Sequence, residues 1–186
     1  MSPEINQRLD WTCNAALKDL PTVSSDLHRG GMRHFASGVS IITTRDGETP
    51  VGLTATAVCS VTVDPPRMVV FINKKVMAAD VILNTGALCI NQLGADQEHM
   101  AKVFAGMVDG VYGPARFEHG TWSTRVTGSP VLKGAIANLD CRVVKVFDES
   151  THYAFLCEVL DASDPPGGDP LIYMNGAFRK LHPTGA

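Results

Sequence analysis

The sequence predicts a mainly β fold: an antiparallel barrel with a few short helices. Three observations predict it. Gly52–Pro66 (G-L-T-A-T-A-V-C-S-V-T-V-D-P-P) alternates with period two, Leu53, Ala55, Ala57, Cys59, Val61 and Val63 on one face, Gly52, Thr54, Thr56, Val58, Ser60 and Thr62 on the other. The last third holds two long strand-like runs, Gly134–Phe147 and Tyr153–Leu160, around Asp148-Glu149-Ser150-Thr151. Adjacent strand runs are joined by tight turns and do not alternate βαβα, so pairing is antiparallel, closure into a barrel is expected, and a doubly wound sheet is not.

In chain order, Ile5, Leu9, Cys13, Ala16, Leu17 and Leu20 recur at helical spacing, and Pro21 ends that amphipathic helix. Ser25 or Asp26 caps a second helix running to about Phe35, weakened by Gly30 and Gly31. Gly38 opens a strand at Val39–Thr44, and Asp46-Gly47 turns the chain into Gly52–Pro66, which Pro65 and Pro66 stop. Met68–Asn73 is an apolar strand, Ala78–Leu83 a short helix ended at Thr85-Gly86, and Ala87–Leu93 another strand. Asp96 caps a helix through Ala105, with Gly106 beyond it. Residues 107–130 hold four glycines and two prolines. A loop of that length in a small domain is functional or lies at a subunit contact. Leu171–Met174 and Ala177–Leu181 flank Asn175-Gly176, a type I′ hairpin signal.

At 186 residues, with 45% hydrophobic residues, the chain is one globular domain able to bury its own core. Formal net charge is −3 and Lys/Arg are scattered, which disfavours nucleic acid as a partner. The first thirty residues include acids and no continuous apolar segment, so neither a secretory signal nor a membrane span is expected. The five cysteines form no C-x-x-C pair. Cys59, Cys89, Cys141 and Cys157 sit in apolar runs and read as small core residues in a reducing, cytoplasmic setting. The six histidines show no metal-ligand spacing, so no metal is expected.

The hydroxyl face of Gly52–Pro66 admits two readings: a solvated Thr/Ser face, or a neutral donor row for a polar ligand, with Ala and Gly letting a flat molecule approach the backbone. The chain has no G-x-G-x-x-G after a strand, no P-loop, no H-E-x-x-H, no G-x-S-x-G and no isolated carboxylate pair. That describes a ligand-binding barrel more readily than a hydrolase.

Seven blocks in order carry a resemblance. They are Arg33–Thr44 (R-H-F-A-S-G-V-S-I-I-T-T), Gly52–Pro66, Phe71–Lys75 (F-I-N-K-K), Cys89–Leu93 (C-I-N-Q-L), Phe104–Gly106 (F-A-G), His152–Val159 (H-Y-A-F-L-C-E-V) and Pro170–Leu181 (P-L-I-Y-M-N-G-A-F-R-K-L). Together they resemble the flavin-reductase-like family over roughly residues 29–181, whose members include the small reductase components of two-component aromatic monooxygenases. The family often shows proline where Ala36 stands. The resemblance implies an FMN-binding split β-barrel over residues 25–186, with residues 1–24 an N-terminal helical extension outside it.

The resemblance also implies a site. Thr54, Ala55 and Thr56 run along the flavin, with Ser60 further along the same face. Asn73 and Lys74 hold the ribityl and phosphate, and Lys74 or Lys75 supplies the positive charge. Phe104 and Gly106 end a helix near the cofactor. His152 matches the family's turn histidine where the nicotinamide approaches, although Ser150-Thr151 replace the family's Gly-Asp. Tyr173 and Arg179, in the closing hairpin, complete the candidates. The implied activity is an NAD(P)H:flavin oxidoreductase, passing hydride from NADH or NADPH to the N5 of FMN or FAD and supplying reduced flavin to a partner monooxygenase. A homodimer is implied, with flavin at its interface. The alternatives are a flavoprotein reductase of a non-flavin acceptor such as a corrin, and a non-enzymatic flavin- or haem-binding barrel.

Overall fold

In a computed structural model, residues 14–163 and 167–181 are described. The expected helix at the start of the chain lies mostly outside them; its last turn, α1 (Ala15–Lys18), is exposed and capped by Asn14. The cap of α2 (Ser25–Met32) is Ser24, one residue before Ser25 and two before Asp26, because Ser24 is extended and its hydroxyl accepts the N–H of Leu27 at 3.2 Å. Asp26 instead sits in the first turn and pairs with Arg29.

The strands are β1 (Ser37–Gly38), β2 (Ser40–Asp46), β3 (Thr49–Ala55), β4 (Val58–Thr62) and β5 (Arg67–Asn73). α3 (Met77–Thr85) follows and ends on Gly86, whose φ of 67° takes the left-handed cap. Then come β6 (Ala87–Gln92) and α4 (Glu98–Phe104), whose N-cap is Gln97 rather than the expected Asp96; the Gln97 side chain turns back to accept the N–H of Gly94 at 2.9 Å. The glycine-rich stretch is more ordered than a loop: it contains a 3₁₀ turn (Gly113–Glu118), β7 (Trp122–Thr124) and β8 (Pro130–Leu132). β9 (Ala137–Glu149), β10 (His152–Ala162), β11 (Ile172–Met174) and β12 (Ala177–Arg179) complete the described chain. Asn175 (φ 52°) and Gly176 (φ 75°) make the hairpin turn that Asn-Gly predicts.

Seven strands form one antiparallel sheet in the order β3-β2-β6-β9-β10-β5-β4. Its two edges, β3 and β4, are consecutive in sequence and make no ladder with each other among the described residues. The barrel is therefore split where the sequence pattern alone favoured closure, in agreement with the split barrel that the resemblance implied. Gly52–Pro66 is not one strand but two, hinged at Thr56-Ala57. β3 pairs with β2; past the hinge the chain crosses to β5, where Val58 lies opposite Val70 and the Ala57 carbonyl accepts from the N–H of Phe71.

The hinge also reverses the parity. Leu53 and Ala55 face the barrel interior before it, and Val58 faces inward after it. Cys59, Val61 and Val63, predicted for the apolar inner face, are consequently exposed. Cys59 is thus not a core residue, whereas Cys89, Cys141 and Cys157 are.

Ile42, Val70, Ile72, Ile82, Leu88, Ile90 and Phe155 fill the barrel. A second core on the other side of β2 joins Val39, Ile41, Met100, Val103, Phe104, Leu132 and Leu171. A fully buried polar hub ties the second core together. Asn91 Oδ1 accepts from the N–H of Leu132 (2.7 Å) and from Asn138 Nδ2 (2.8 Å), while its Nδ2 donates to the Ile41 carbonyl (3.1 Å). Each such bond contributes about 1 kcal/mol net, and losing the acceptor would strand two buried donors. This hub pins the returning end of the 107–130 excursion against the sheet.

Candidate functional site

The split leaves two cavities along the β3–β4 hinge. The larger, of about 630 Å³, is lined by α2, by Phe35 and Ser37, by Thr56 and Ala57, and by the β11–β12 hairpin from Tyr173 to Gly176. That volume lies within the range of small-molecule and cofactor sites. The sequence explains its shape. Ala57 at the hinge is small, the β11–β12 turn is held back by the N–H of Asn175 donating to the Arg33 carbonyl (2.8 Å), and Tyr173 is braced edge-on by Phe178 at 5.3 Å. Phe35 is 75% exposed, and with Tyr173 it gives the pocket two aromatic walls. A broad apolar slot between aromatic side chains and small residues fits a flat tricyclic ring.

The second cavity, of about 400 Å³, is bounded by Pro50–Thr54 of β3, by Val76–Ala78 at the start of α3, by Phe104 and Ala105 at the end of α4, and by Gly113 and Arg116. Thr54 does not present a free hydroxyl here, since its Oγ1 donates to the Ala101 carbonyl of α4 at 2.7 Å. Phe104 is 1% exposed and packs against Gly52. Thr54 lines one cavity and Thr56 the other, about 7 Å apart along an extended chain.

A third group gathers where β5 ends and β10 begins. His152 lies opposite Asn73 in the ladder, and its Nδ1 shares a hydrogen bond with the Thr151 hydroxyl at 2.8 Å. The Lys74 N–H donates to the Thr151 carbonyl (3.0 Å), and the Lys75 N–H to Asn73 Oδ1 (2.9 Å). The Lys74 ammonium is ion-paired with Asp148 and stands 4.9 Å from the Tyr153 ring centroid. Its charge is therefore largely compensated, whereas the Lys75 side chain is exposed.

The structure thus brings Asn73, Lys74, Lys75 and His152 together, Thr56 with Tyr173, and Thr54 with Phe104. Ala55 is buried in the barrel core and lines neither cavity. Ser60 is exposed on β4 opposite Met68, and Arg179 is exposed on β12 opposite Ile172; neither lines a cavity. Gly106 adopts a φ of 72° beyond α4, and a side chain there would come within 3.4 Å of Arg116 Nη2. The sequence reading missed Arg116, Phe35, the α2 residues His28 and Met32, and Arg33 just beyond that helix. For Arg116 a signal existed: it is one of two arginines, with Arg125, inside the glycine-rich excursion read as functional or at a subunit contact.

Elsewhere charges are structural. Arg67 and Arg142 clamp Glu158 on the outer face of the sheet and hold its carboxyl below its ordinary value, while Arg125 does the same for Asp161. Among the described residues no group of three or more His, Cys, Asp or Glu is placed to hold a metal ion, and no helix is long and apolar enough to cross a membrane.

The flavin reductase like domain family matches residues 32–182. An FMN reductase (NADH) RutF of Ancylobacter novellus is 36% identical over 176 residues, 95% of this chain and 95% of that protein. The 4-hydroxyphenylacetate 3-monooxygenase reductase component of Pseudomonas aeruginosa is 38% identical over 153 residues, covering 82% of this chain and 89% of that one. Among solved structures, BorF, the flavin reductase component of a bacterial two-component tryptophan halogenase, superposes with a TM-score of 0.76 at 30% identity, covering 85% of this chain and 98% of that one.

Proposed function

The chain belongs to the flavin reductase-like family and is an NAD(P)H:flavin oxidoreductase, and from that premise we propose how its residues serve the reaction. The flavin ring lies against the Thr56-Ala57 hinge in the larger cavity, between Phe35 and Tyr173. The single observation that carries this placement is the hinge itself: the one strand the sequence singled out breaks there, and an apolar aromatic slot of cofactor size opens on it. A flavin held there would supply the redox chemistry, as the acceptor of the hydride carried by the reduced nicotinamide.

The protein's part is to bind, orient and exclude water. Thr56 and Ala57 provide small side chains and backbone donors beside the ring. Asn73 steers the ribityl chain from the end of β5. His152, its Nδ1 tied to Thr151, presents Nε2 for orienting the nicotinamide or for delivering a proton to the reduced product. Among the described residues no carboxylate lines either cavity.

We further propose NADH as the donor and release of reduced flavin to a partner oxygenase, as the names of the relatives suggest for those proteins. The chain acts as a homodimer in the cytoplasm. Val61, Phe71, Val146 and Phe147, on β4, β5 and β9, are between 37% and 49% exposed, an apolar surface that a second copy would cover. Steady-state oxidation of NADH with added FMN and FAD tests the activity: turnover should rise with flavin, and yellow protein inert to both nucleotides would refute it. Sedimentation tests assembly. A strict monomer at micromolar concentration that still reduces flavin would remove the dimer.

A further inference from the structure

We propose that His99 and His119 bind a divalent transition-metal ion, zinc(II) by their geometry, and that the ion clasps α4 to the 3₁₀ turn. The site is distinct from both cavities, which neither histidine lines, and it stands whether or not flavin binds.

Three observations carry it. First, the two imidazoles turn nitrogens toward each other at the spacing of a shared ion. His99 Nε2 and His119 Nδ1 stand 3.4 Å apart, and the ring centroids are 5.4 Å apart with planes tilted by 54°. That gap is long for a hydrogen bond, whose usual span is about 2.7–3.2 Å. With zinc–nitrogen bonds of about 2.05 Å, tetrahedral angles put two ligating nitrogens about 3.3 Å apart and their ring centres about 5.2 Å apart. Ligands at right angles, as on octahedral or square-planar ions, would need about 2.9 Å and about 4.5 Å. Both distances in the protein match the tetrahedral pair.

Second, the framework already holds the rings in place. His99 is in the first turn of α4, and the next residue, Met100, is buried. His119 caps the 3₁₀ turn; its N–H donates to the Arg116 carbonyl (3.3 Å) and its carbonyl accepts from Trp122 Nε1 (2.8 Å). Gly120 then presses onto α4, since a Cβ there would meet Met100 Cε and Leu132 Cδ1 at 3.0 Å. The two elements are packed together beside the histidines, so little ordering is required when an ion arrives. Twenty residues separate the pair, which is why no ligand spacing marks it in the sequence.

Third, the pair is open to solvent and its nearest cation on α4 is compensated. His99 is exposed and His119 half-buried. Lys102, one turn further along, is paired with Glu98 at 2.7 Å. Among the described residues no third His, Cys, Asp or Glu joins the two, so water completes the shell. That makes an exchangeable site with open positions, unlike the closed four-ligand sites of structural zinc.

The test titrates zinc(II) into the full-length chain by calorimetry, at neutral pH in a non-chelating buffer. One ion should bind per chain in the micromolar range and raise Tm. His99→Ala and His119→Ala should each weaken binding about ten-fold or more and abolish the rise in Tm, because the second donor acts at high effective concentration only while the first holds the ion. His34→Ala, at another exposed histidine, should bind as the wild type does. Because His99 is exposed, its replacement tests the site even should His119→Ala fold poorly. Cobalt(II), used as a spectroscopic probe, should give the intense visible bands of a tetrahedral ion in the wild type and lose them in either variant. Absence of binding up to about millimolar zinc would overturn the proposal. Affinity undiminished in both variants would also overturn it, assigning the ion to other groups such as the exposed Cys59. Weak octahedral cobalt bands would overturn the tetrahedral geometry on which it rests.

Discussion

Gly52→Ala separates two opposite expectations. Gly52 has no positive φ, so alanine fits the backbone there, and lowering the entropy of the unfolded chain should stabilise the fold by about 0.4–1 kcal/mol. The structure predicts the reverse sign. A Cβ at position 52 would meet Phe104 Cε1 at 2.8 Å and Cδ1 at 3.1 Å, with the Ile42 carbonyl behind at 3.2 Å. Phe104 has nowhere to retreat: it is 1% exposed, packed edge-on to Phe117 at 5.0 Å and against Trp122 at 5.4 Å. Overpacking of this kind costs about 1–3 kcal/mol, so the net loss is roughly 1–2 kcal/mol. For a chain of this size that is a fall in Tm of about 2–8 °C, read by circular dichroism or scanning calorimetry. Adding Phe104→Leu should relieve the clash, leaving the double variant more stable than the sum of the single effects by over about 0.5 kcal/mol. A Gly52→Ala protein that melts at or above the wild-type temperature would refute the packing argument.

Three other outcomes are expected. His152→Ala should lower kcat/KM for NADH about ten-fold, mainly through KM, with FMN binding unchanged; kinetics identical to wild type would remove His152 from the reaction. Glu158 has its carboxyl lowered from an ordinary 4.5, first by hydrogen bonds from Arg67 and then from Arg142. Its contribution is thus present above that value and lost as pH falls through the lower, folded one. Thermal stability should decline below about pH 4.5 with a shallower slope in Glu158→Gln, and matching slopes would count against the clamp. Burial pushes the Cys157 thiol up to about 12 and raises Cys89 and Cys141 likewise, while Cys59 is exposed. Ellman's reagent at pH 8 should therefore find at most two rapid thiols in native protein and all five after unfolding; three or more rapid thiols would contradict this core.

The local signals in the sequence reported strands, turns and stops well because each depends on near neighbours. Asn175-Gly176 had to turn, Gly86 had to cap α3, and the runs that became β9 and β10 had to pair. The hinge at Thr56-Ala57 was illegible because its cause is remote. Both halves of Gly52–Pro66 alternate, and only the location of β2 and β5 on opposite sides of the gap forces the chain to change partners. That one break exposed Cys59 and Val61 and turned the predicted inner face outward. The same limit applies to side-chain commitments. Thr54 looked like a ligand donor until α4 placed the Ala101 carbonyl 2.7 Å from its hydroxyl, and Lys74 looked like a free charge until β9 brought Asp148 to it. Arg116 lies some sixty residues from Gly52 in sequence, so no local pattern could join them.

An open barrel has two edges, and an unpaired edge is a hazard that a protein must cover. This chain treats its two edges differently. β3 is covered from outside: Arg116 reaches its Gly52 carbonyl and Phe104 packs over its glycine, and the cavity between them is what the covering leaves over. Among the described residues β4 receives no such cover. Its burial pattern is almost wholly exposed, Val61 and Cys59 face outward, and Phe71 and Phe147 continue the apolar surface across β5 and β9. The asymmetry argues that the β3 edge is finished within one chain for a ligand, while the β4 side awaits a second copy. On that argument a charge on the β4 side, such as Val61→Lys, should break the dimer while leaving the Arg116 cavity intact. FMN binding lost in the resulting monomer would then place the partner's side chains in the site, and FMN binding retained would show that one chain suffices to hold it.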